Sequence, residues 1–284
     1  MITTNPAATK WQLSAIQLNS QPDPEANFQQ LSRYLALLPT SPQHLVVLPE
    51  CFAVFGGADG LQLSYAAALG QGKLQQQCAA LARQYQLYFV AGSLPTTTPD
   101  PKRFAASSLL FGPDGTLLAD YQKLHLFDVK VADNTGNYAE SATTLPGTKL
   151  TLSTQGSLKL GMSICYDVRF PGLMQALSAA GMNVLSVPSA FTQVTGAAHW
   201  HSLLRARAIE NQCFVVAPGQ TGVHANGRET FGHSLIINPW GEILADAGTA
   251  PGFISVAVDL AECQQLANKM PIKQHNRFNS ELIP

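Results

Sequence analysis

The chain has 284 residues, of which 46% are hydrophobic and 12% are charged, and its formal net charge is -1. The apolar content is enough for a sizeable core and excludes a disordered chain, while the near-neutral charge argues against a nucleic-acid partner. No apolar run approaches the ~20 residues that a membrane span needs, so no membrane partner is expected.

The first half of the chain alternates between strand and helix patterns. Strands are predicted over 11–19 and 44–50, with a helix between them at 24–38. A second helix at 74–86 leads into a strand at 87–95. The "GPDG" that follows at 112–115 is a strong hairpin signal, so two paired strands are expected around it.

The second half repeats this alternation. The remaining predicted elements, in chain order, are a strand at 158–165, a helix at 172–180, a strand at 183–190, a helix at 198–211, a strand at 213–220, two strands around "NPWGE" (238–242), a strand at 253–259 and a final helix at 260–270. Strand–helix–strand units with hairpins between them predict an α/β layered protein with mixed sheets. Because no linker or compositional break interrupts the chain, residues 1–284 are predicted to form a single domain.

The cysteines and the first residues bear on the compartment. No C-x-x-C pair exists, which argues against a zinc site or a redox dithiol. The opening "MITTNPAATKWQLSAIQLNS" has no basic segment followed by an apolar run, so no signal peptide is predicted. We therefore expect a cytoplasmic location with free thiols. The five cysteines are Cys51, Cys78, Cys165, Cys213 and Cys263.

Three polar residues, Glu50, Lys123 and Cys165, each follow an apolar run, as functional groups at the strand ends of α/β proteins do. Each residue alone also has an ordinary structural interpretation. Glu50 can be a surface acid or a cap, Lys123 a solvated lysine on an edge strand, and Cys165 a thiol packed in the core. Together they make chemical sense. A carboxylate can take a thiol proton, and an ammonium can stabilise the oxyanion formed when the thiolate attacks a carbonyl.

In these residues the chain resembles the nitrilase, or carbon–nitrogen hydrolase, superfamily. The three landmarks appear in order as "VVLPE", "YQKLHLFD" and "GMSICYDVRFP", and the similarity continues through 183–222 and 232–248. The resemblance implies a four-layer αββα sandwich and at least a homodimer. It also implies a fourth catalytic residue, Glu140 in "YAESATTLPG", which alone would be interpreted as a loop acid or helix cap.

The resemblance also implies a mechanism. Cys165, at a corner before a helix whose dipole favours a thiolate, attacks an amide carbonyl while Lys123 and the Tyr166 N–H stabilise the oxyanion. Glu50 protonates the leaving amine and then activates the water that hydrolyses the thioester. Glu140 holds Lys123 in place. This chemistry needs no metal and no organic cofactor.

The substrate implied is a small-molecule amide with an α-keto acid end. Two sibling groups of short amidases share the motifs, so the sequence leaves the substrate open between them and other small-amide or carbamoyl compounds. The alternative that is not an enzyme is a catalytically inactive binding protein with the same fold. The candidate substrate-binding residues are Tyr166, Arg169, Phe191, Thr192 and His125.

Two of these candidates have competing interpretations. Arg169 can bind a substrate carboxylate through two parallel hydrogen bonds, or pair with Asp167. If it is structural, the carboxylate partner is to be sought around Phe191 and Thr192. His125 lies two residues after Lys123, on the same side of an extended segment, and so is a candidate for the pocket lining.

Overall fold

A computed structural model of the chain describes residues 8–58 and 60–283. Residues 1–7, part of the segment predicted to carry no signal peptide, lie outside these ranges. The α-helices of the described chain are α1 (Pro24–Leu35), α2 (Lys73–Tyr85), α3 (Pro171–Ala179), α4 (Gln193–Asn211), α5 (Ala261–Lys269) and α6 (Ile272–His275). Among them, none is both long enough and apolar enough to cross a membrane.

The strands are short, and most are three to five residues long. In chain order they are β1 (Lys10–Gln17), β2 (His44–Val47), β3 (Tyr88–Val90), β4 (Leu94–Thr97), β5 (Phe104–Phe111), β6 (Leu117–Gln122), β7 (Asp128–Lys130), β8 (Asn137–Ala139), β9 (Leu152–Gln155), β10 (Leu158–Met162), β11 (Val184–Ser186), β12 (Phe214–Ala217), β13 (Thr221–Val223), β14 (Glu229–Phe231), β15 (Leu235–Ile237), β16 (Ile243–Asp246) and β17 (Gly252–Asp259).

Two large sheets hold most of these strands. In the first sheet the order is β17-β1-β2-β3-β5-β4, with β6 also paired to β5. In the second sheet the order is β16-β15-β12-β11-β10-β9. Each sheet has a parallel centre, β1–β2–β3 in one and β10–β11–β12 in the other, flanked by antiparallel strands. The parallel centres place the carboxyl ends of several strands at one edge.

The two sheets face each other, and helices cover their outer faces. One buried cluster joins side chains of both sheets, such as Leu13 and Leu160, and extends to Leu177 and Leu204 on α3 and α4. A second cluster packs the first sheet against α1 and α2 through residues such as Phe28. The layers therefore run helix, sheet, sheet, helix, and the predicted αββα sandwich is confirmed.

The predicted elements are present, with differences at their ends. The strand predicted at 87–95 is two strands, β3 and β4, because the chain bends at Gly92 (φ +30°), where a Cβ would collide with the carbonyl of Pro49. The strand predicted at 158–165 ends at Met162, and a single 3₁₀ turn, Cys165–Arg169, follows it. Helix α4 begins five residues before the predicted start because Thr192 caps it by accepting a hydrogen bond from the Thr195 N–H.

Candidate active site

Loops at the carboxyl ends of parallel strands build one cavity of about 310 Å³. Glu50 follows β2 of the first sheet, whereas Cys165 and Ala190 follow β10 and β11 of the second sheet. Lys123 comes directly after β6. The cavity therefore draws its walls from both sheets, as ligand sites in layered α/β proteins do. The predicted site residues that line it are Glu50, Lys123, Glu140, Cys165, Tyr166, Arg169, Phe191 and Thr192.

Lys123 lies between two carboxylates at the bottom of this cavity. Its ammonium is 2.7 Å from Oε1 of Glu50 and 2.9 and 2.8 Å from the two oxygens of Glu140. The other oxygen of Glu50 accepts a hydrogen bond from the Ala190 N–H at 2.9 Å, and Glu140 accepts one from the Phe127 N–H at 2.7 Å. Each charged group therefore has several partners, as buried charges require.

The proton affinities of these groups follow from burial and from one another's charges. Burial alone would lower the pKa of Lys123, but the Glu140 and Glu50 carboxylates raise that pKa well above its ordinary value. Burial would raise the pKa of Glu50, yet the Lys123 ammonium keeps that pKa below its ordinary value. For Glu140, burial, reinforced by the negative charge of Glu50, raises the pKa. Lys123 is therefore an ammonium and Glu50 a carboxylate near neutral pH.

Cys165 occupies a strained backbone position. Its φ is +47°, in the left-handed region that non-glycine residues rarely adopt and that is found at functional sites. Its N–H donates to the Pro188 carbonyl at 2.8 Å. The Ile164 N–H and the Tyr121 hydroxyl donate to Asp167, which is fully buried, at 2.8 and 2.7 Å. Asp167 therefore fixes the turn that carries the thiol.

The Cys165 thiol is protonated in the free site. Burial and the charge of Glu50 raise its pKa well above the ordinary value, against the smaller opposing effect of Lys123. Burial and the charge of Glu50 therefore oppose the effect expected from the dipole of the following helix. Because Glu50 is a carboxylate close enough to raise this pKa, it can take the thiol proton when the sulfur attacks.

The prediction that His125 lines the pocket is wrong, because this residue contacts Asp167 and Phe170 outside the cavity lining. Its Nδ1 lies 2.7 Å from Oδ1 of Asp167, and its N–H donates to the same oxygen at 3.0 Å. The imidazole stacks on the Phe170 ring with centroids 3.7 Å apart. His125 is not among the described residues that line the cavity, and its contacts with Asp167 support the turn of Cys165 instead.

Arg169 reaches the cavity and does not pair with Asp167. Its guanidinium lies 5.1 Å from the centroid of the Phe191 ring and 5.9 Å from that of Tyr166. Its Nη1 is 3.2 Å from Nδ1 of His199. Asp167 cannot be its partner because Tyr121 and His125 occupy both carboxylate oxygens. The guanidinium thus keeps donors for a ligand in the cavity.

Two residues of the site were missed by the sequence analysis as functional groups. Asp167 was treated only as a possible partner of Arg169. Arg228 also lines the cavity, and nothing in "ANGRETF" distinguishes it from a surface arginine.

One cluster of metal-binding side chain types lies elsewhere in the described chain. The ligand atoms of His201, His233 and Asp246 are all within 4.8 Å of one another. Asp246 accepts hydrogen bonds from both imidazoles, at 3.2 Å from His201 and 3.0 Å from His233. The three side chains thus satisfy one another, and none of the three is among the residues that line the cavity.

Comparisons with known proteins agree with this geometry. The family described as carbon-nitrogen hydrolase matches residues 12–268. A Yersinia enterocolitica protein named deaminated glutathione amidase is 41% identical over 273 residues, which cover 96% of this chain and 95% of the relative. The Homo sapiens protein of the same name is 36% identical over 270 residues, which cover 93% of this chain and 82% of the relative.

Solved structures give the same result. Saccharomyces cerevisiae Nit3, a member of branch 10 of the nitrilase superfamily, matches with a TM-score of 0.84 and 30% identity, over 97% of this chain and 99% of that one. The chain belongs to the carbon-nitrogen hydrolase family within the nitrilase superfamily. It is an enzyme of the amidase type, which hydrolyses carbon–nitrogen bonds.

Proposed function

We propose that Cys165, Lys123, Glu50 and Glu140 carry out amide hydrolysis through a thioester. In the first half, the Cys165 thiol proton moves to Glu50 and the sulfur bonds to the amide carbon. The Lys123 ammonium and the Tyr166 N–H stabilise the oxyanion. Glu50 then gives its proton to the amide nitrogen, the C–N bond breaks, and the amine leaves.

The second half uses the same groups in reverse. Glu50 takes a proton from water, and the oxygen attacks the thioester carbon. The C–S bond breaks, the acid is released, and the proton returns from Glu50 to the sulfur. Glu140 is a positioning residue that holds Lys123 at the oxyanion. The observation that supports this assignment is the single cavity in which Lys123 contacts both carboxylates beside Cys165.

The substrate we propose is deaminated glutathione, cleaved to 2-oxoglutarate and Cys-Gly. The names of the Yersinia enterocolitica and Homo sapiens relatives support it. Arg169, whose guanidinium lines the cavity on two aromatic rings, suits the α-keto acid carboxylate of this substrate. Phe191 and Thr192 line the cavity beside it and complete the proposed substrate contacts. The alternative is an ω-amidase acting on α-ketoglutaramate, which offers the same acyl half.

A side-by-side rate comparison tests the substrate. Both compounds release 2-oxoglutarate, so one coupled assay measures both reactions, and Cys165→Ala controls for non-enzymatic hydrolysis. Higher kcat/KM on deaminated glutathione supports the proposal, whereas turnover of α-ketoglutaramate alone assigns the ω-amidase activity. A lack of turnover on every amide, nitrile and carbamoyl compound would indicate a binding protein instead.

We also propose that residues 1–284 act as one domain, assembled as a homodimer or larger homo-oligomer in the cytoplasm. The shared cluster between the two sheets supports one domain. The five cysteines, all free, suit a reducing compartment. The dimer is supported by exposed apolar side chains near α4, Ile209 at 45% and Trp240 at 59% exposure.

A further inference from the structure

The cavity contains a second arginine that the proposed mechanism does not use. Arg228 lies between Gly227, in a left-handed turn, and the first residue of β14. It lines the cavity together with Arg169. Two guanidinium groups around the reaction centre suit a substrate that carries two negative charges.

Aromatic rings and one carbonyl hold the Arg228 guanidinium in place. Its central carbon is 5.0 Å from the centroid of the Phe55 ring and 4.9 Å from that of Tyr138. Its Nη2 donates to the Ala190 carbonyl at 3.2 Å. Among the described residues, no carboxylate forms an ion pair with Arg228, and its buried Nε has no acceptor. A guanidinium stacked on rings with unused donors is preorganised for a planar carboxylate.

The contacts of Ala190 place Arg228 on the leaving-group side. The carbonyl of Ala190 accepts from Arg228, while its N–H donates to Glu50 at 2.9 Å. Burial raises the pKa of Glu50, and the positive charge of Arg228 adds to the larger lowering effects of Lys123 and of the hydrogen bond with Cys165. Because Glu50 must reach the amide nitrogen to protonate it, the amine half lies on this side. Arg169, on the rings of Tyr166 and Phe191, is left for the acyl half.

We propose that Arg228 binds a carboxylate on the amine half of the substrate and so selects amides whose leaving group is an amino acid or a peptide. This assignment rests on the proposed amidase function. Deaminated glutathione has a carboxylate in both halves, one on the α-keto acid and one on glycine. α-Ketoglutaramate has a carboxylate in the acyl half only, and its leaving group is ammonia. Arg228 thereby distinguishes between the two candidate substrates.

Three compounds with the same acyl half test the assignment. They are deaminated glutathione, its C-terminal carboxamide, which lacks the glycine carboxylate, and α-ketoglutaramate. All three release 2-oxoglutarate, so kcat/KM is measured in one assay for the wild type, Arg228→Gln and Arg169→Lys. Arg83→Gln, at an exposed position on α2, is the matched control for replacing an arginine.

The expected result is a preference in the wild type of about 10- to 100-fold for the peptide acid over its carboxamide, the size of one charged hydrogen-bonded pair. Arg228→Gln should remove this preference, mainly by raising KM for the acid. Arg169→Lys should lower kcat/KM on all three compounds and leave the preference in place.

Equal turnover of the acid and the carboxamide by the wild type would overturn the assignment, and this comparison does not depend on whether a variant folds. Equal losses on all three compounds in Arg228→Gln would show that Arg228 acts only through Glu50. Turnover of α-ketoglutaramate alone would also overturn it, because that leaving group has no carboxylate. Failure of the proposed amidase function would give a different result. In that case the wild type would release no more 2-oxoglutarate than Cys165→Ala from any of the three compounds.

Discussion

Glu50 and Cys165 are coupled by one proton, and this coupling decides the reactivity of the site. A buried thiol next to a carboxylate is a poor acid, and the pKa of Cys165 is accordingly raised well above its ordinary value. In the free enzyme, therefore, only a small fraction of Cys165 is present as thiolate. The nucleophile forms only when Glu50 removes the proton, at the moment when Lys123 has an oxyanion to stabilise. Such a site protects its thiol between turnovers.

This coupling predicts how the cysteines react with iodoacetamide. Cys165 should be alkylated first, because the Glu50 carboxylate beside it can take the thiol proton when the sulfur attacks. Cys51 also lines the cavity, but burial raises its pKa to about 12, so it should stay unmodified. Peptide mass mapping after timed labelling measures both rates. Labelling of Cys51 as fast as Cys165 would contradict the coupling.

Replacing the nucleophile tests the chemistry directly. Cys165→Ser should lower kcat by about 10⁴-fold or more, because Glu50 is too weak a base to ionise an alcohol and the rest of the site retains only binding and oxyanion stabilisation. Circular dichroism should show an unchanged fold. A variant with more than a tenth of the wild-type activity would remove Cys165 from the mechanism.

The residues of the site differ in how far their roles could be predicted from the sequence. Glu50, Lys123 and Cys165 follow apolar runs, so their positions at strand ends could be predicted. Glu140 had only the family resemblance to indicate it, because its 3₁₀ turn has no periodicity. The function of Arg228 depends on three contacts, with Phe55, Tyr138 and Ala190, that are made at long range in the sequence and cannot be inferred from its neighbours.

At the scale of elements, the turn after β10 depends on Asp167. This carboxylate is fully buried and accepts from the Tyr121 hydroxyl, the Ile164 N–H and His125. Asp167→Asn should lower the free energy of unfolding by about 2–4 kcal/mol, because an amide can accept only at one atom and leaves buried donors unpaired. Urea denaturation measures the loss.

Tyr121→Phe is the matched control for Asp167→Asn. It removes one of the donors to the carboxylate and also the acceptor of the part-buried Leu124 N–H, which lies 3.3 Å from the hydroxyl, and it should cost about 1 kcal/mol. Both variants should also reduce kcat, because the turn fixes the position of the Cys165 thiol. A loss of stability in Asp167→Asn no larger than that in Tyr121→Phe would show that the turn is held by other contacts.

The β13–β14 hairpin carries a histidine that makes stability depend on pH. His224 donates from Nδ1 to the Ser20 carbonyl at 3.0 Å, and its Nε2 lies 2.7 Å from the Thr230 hydroxyl oxygen. Burial lowers its pKa from 6.5 to about 4, and the same cause lowers the pKa of His44 to about 4. Between pH 4 and pH 6.5 the unfolded chain therefore binds more protons than the folded protein does.

Because the unfolded chain binds more protons, the free energy of unfolding falls as the pH falls. The stability contributed by the neutral rings is complete above pH 6.5 and is lost as the pH falls toward 4. Between pH 7 and pH 5 each histidine should account for a loss of about 2 kcal/mol in the free energy of unfolding. His224→Gln should halve the slope, since His44 remains, and urea denaturation at several pH values measures it. A slope unchanged in His224→Gln would contradict the assignment.

Element prediction succeeded where the apolar pattern was long and failed where it was short. The helices and the central strands have enough turns or alternations to be recognised, and α1 even shows its cap, Asp23, before Pro24. The hairpins β7–β8 and β13–β14 have strands of three residues, too short for any period. The second of them supplies Arg228, so the part of the fold hidden from sequence analysis is also where the missed residue lies.

At the scale of the whole molecule, the site requires both sheets. Glu50 comes from the first sheet and Cys165 from the second, and the cluster between the sheets fixes their separation. Neither sheet alone could form the cavity, which supports the proposal of a single domain. Gln220 strengthens this connection, because its side chain donates to the Glu50 carbonyl at 3.0 Å and to the Ser20 hydroxyl at 2.8 Å.

Assembly is the remaining property at this scale. Met174 and Leu177 of the apolar helix α3 are fully buried in the chain's own core, so they cannot contact a second copy. The better support is the α4 patch, Ile209 together with Trp240. Ile209 lies against Gly241, and Arg205 of the same helix donates to the Gly241 carbonyl at 2.9 Å, so the patch is held rigidly.

The wild type should therefore sediment as a dimer or larger at micromolar concentration, and Ile209→Glu should shift it toward the monomer by at least 10-fold in the dissociation constant. A charge buried in an apolar contact lacks a partner and costs several times the ~1.4 kcal/mol that corresponds to this factor. Leu37→Glu is the matched control, because Leu37 is 70% exposed just beyond α1, in the opposite helical layer. A wild-type monomer would refute the assembly. If both variants dissociate equally, or neither does, the interface does not lie at the α4 patch.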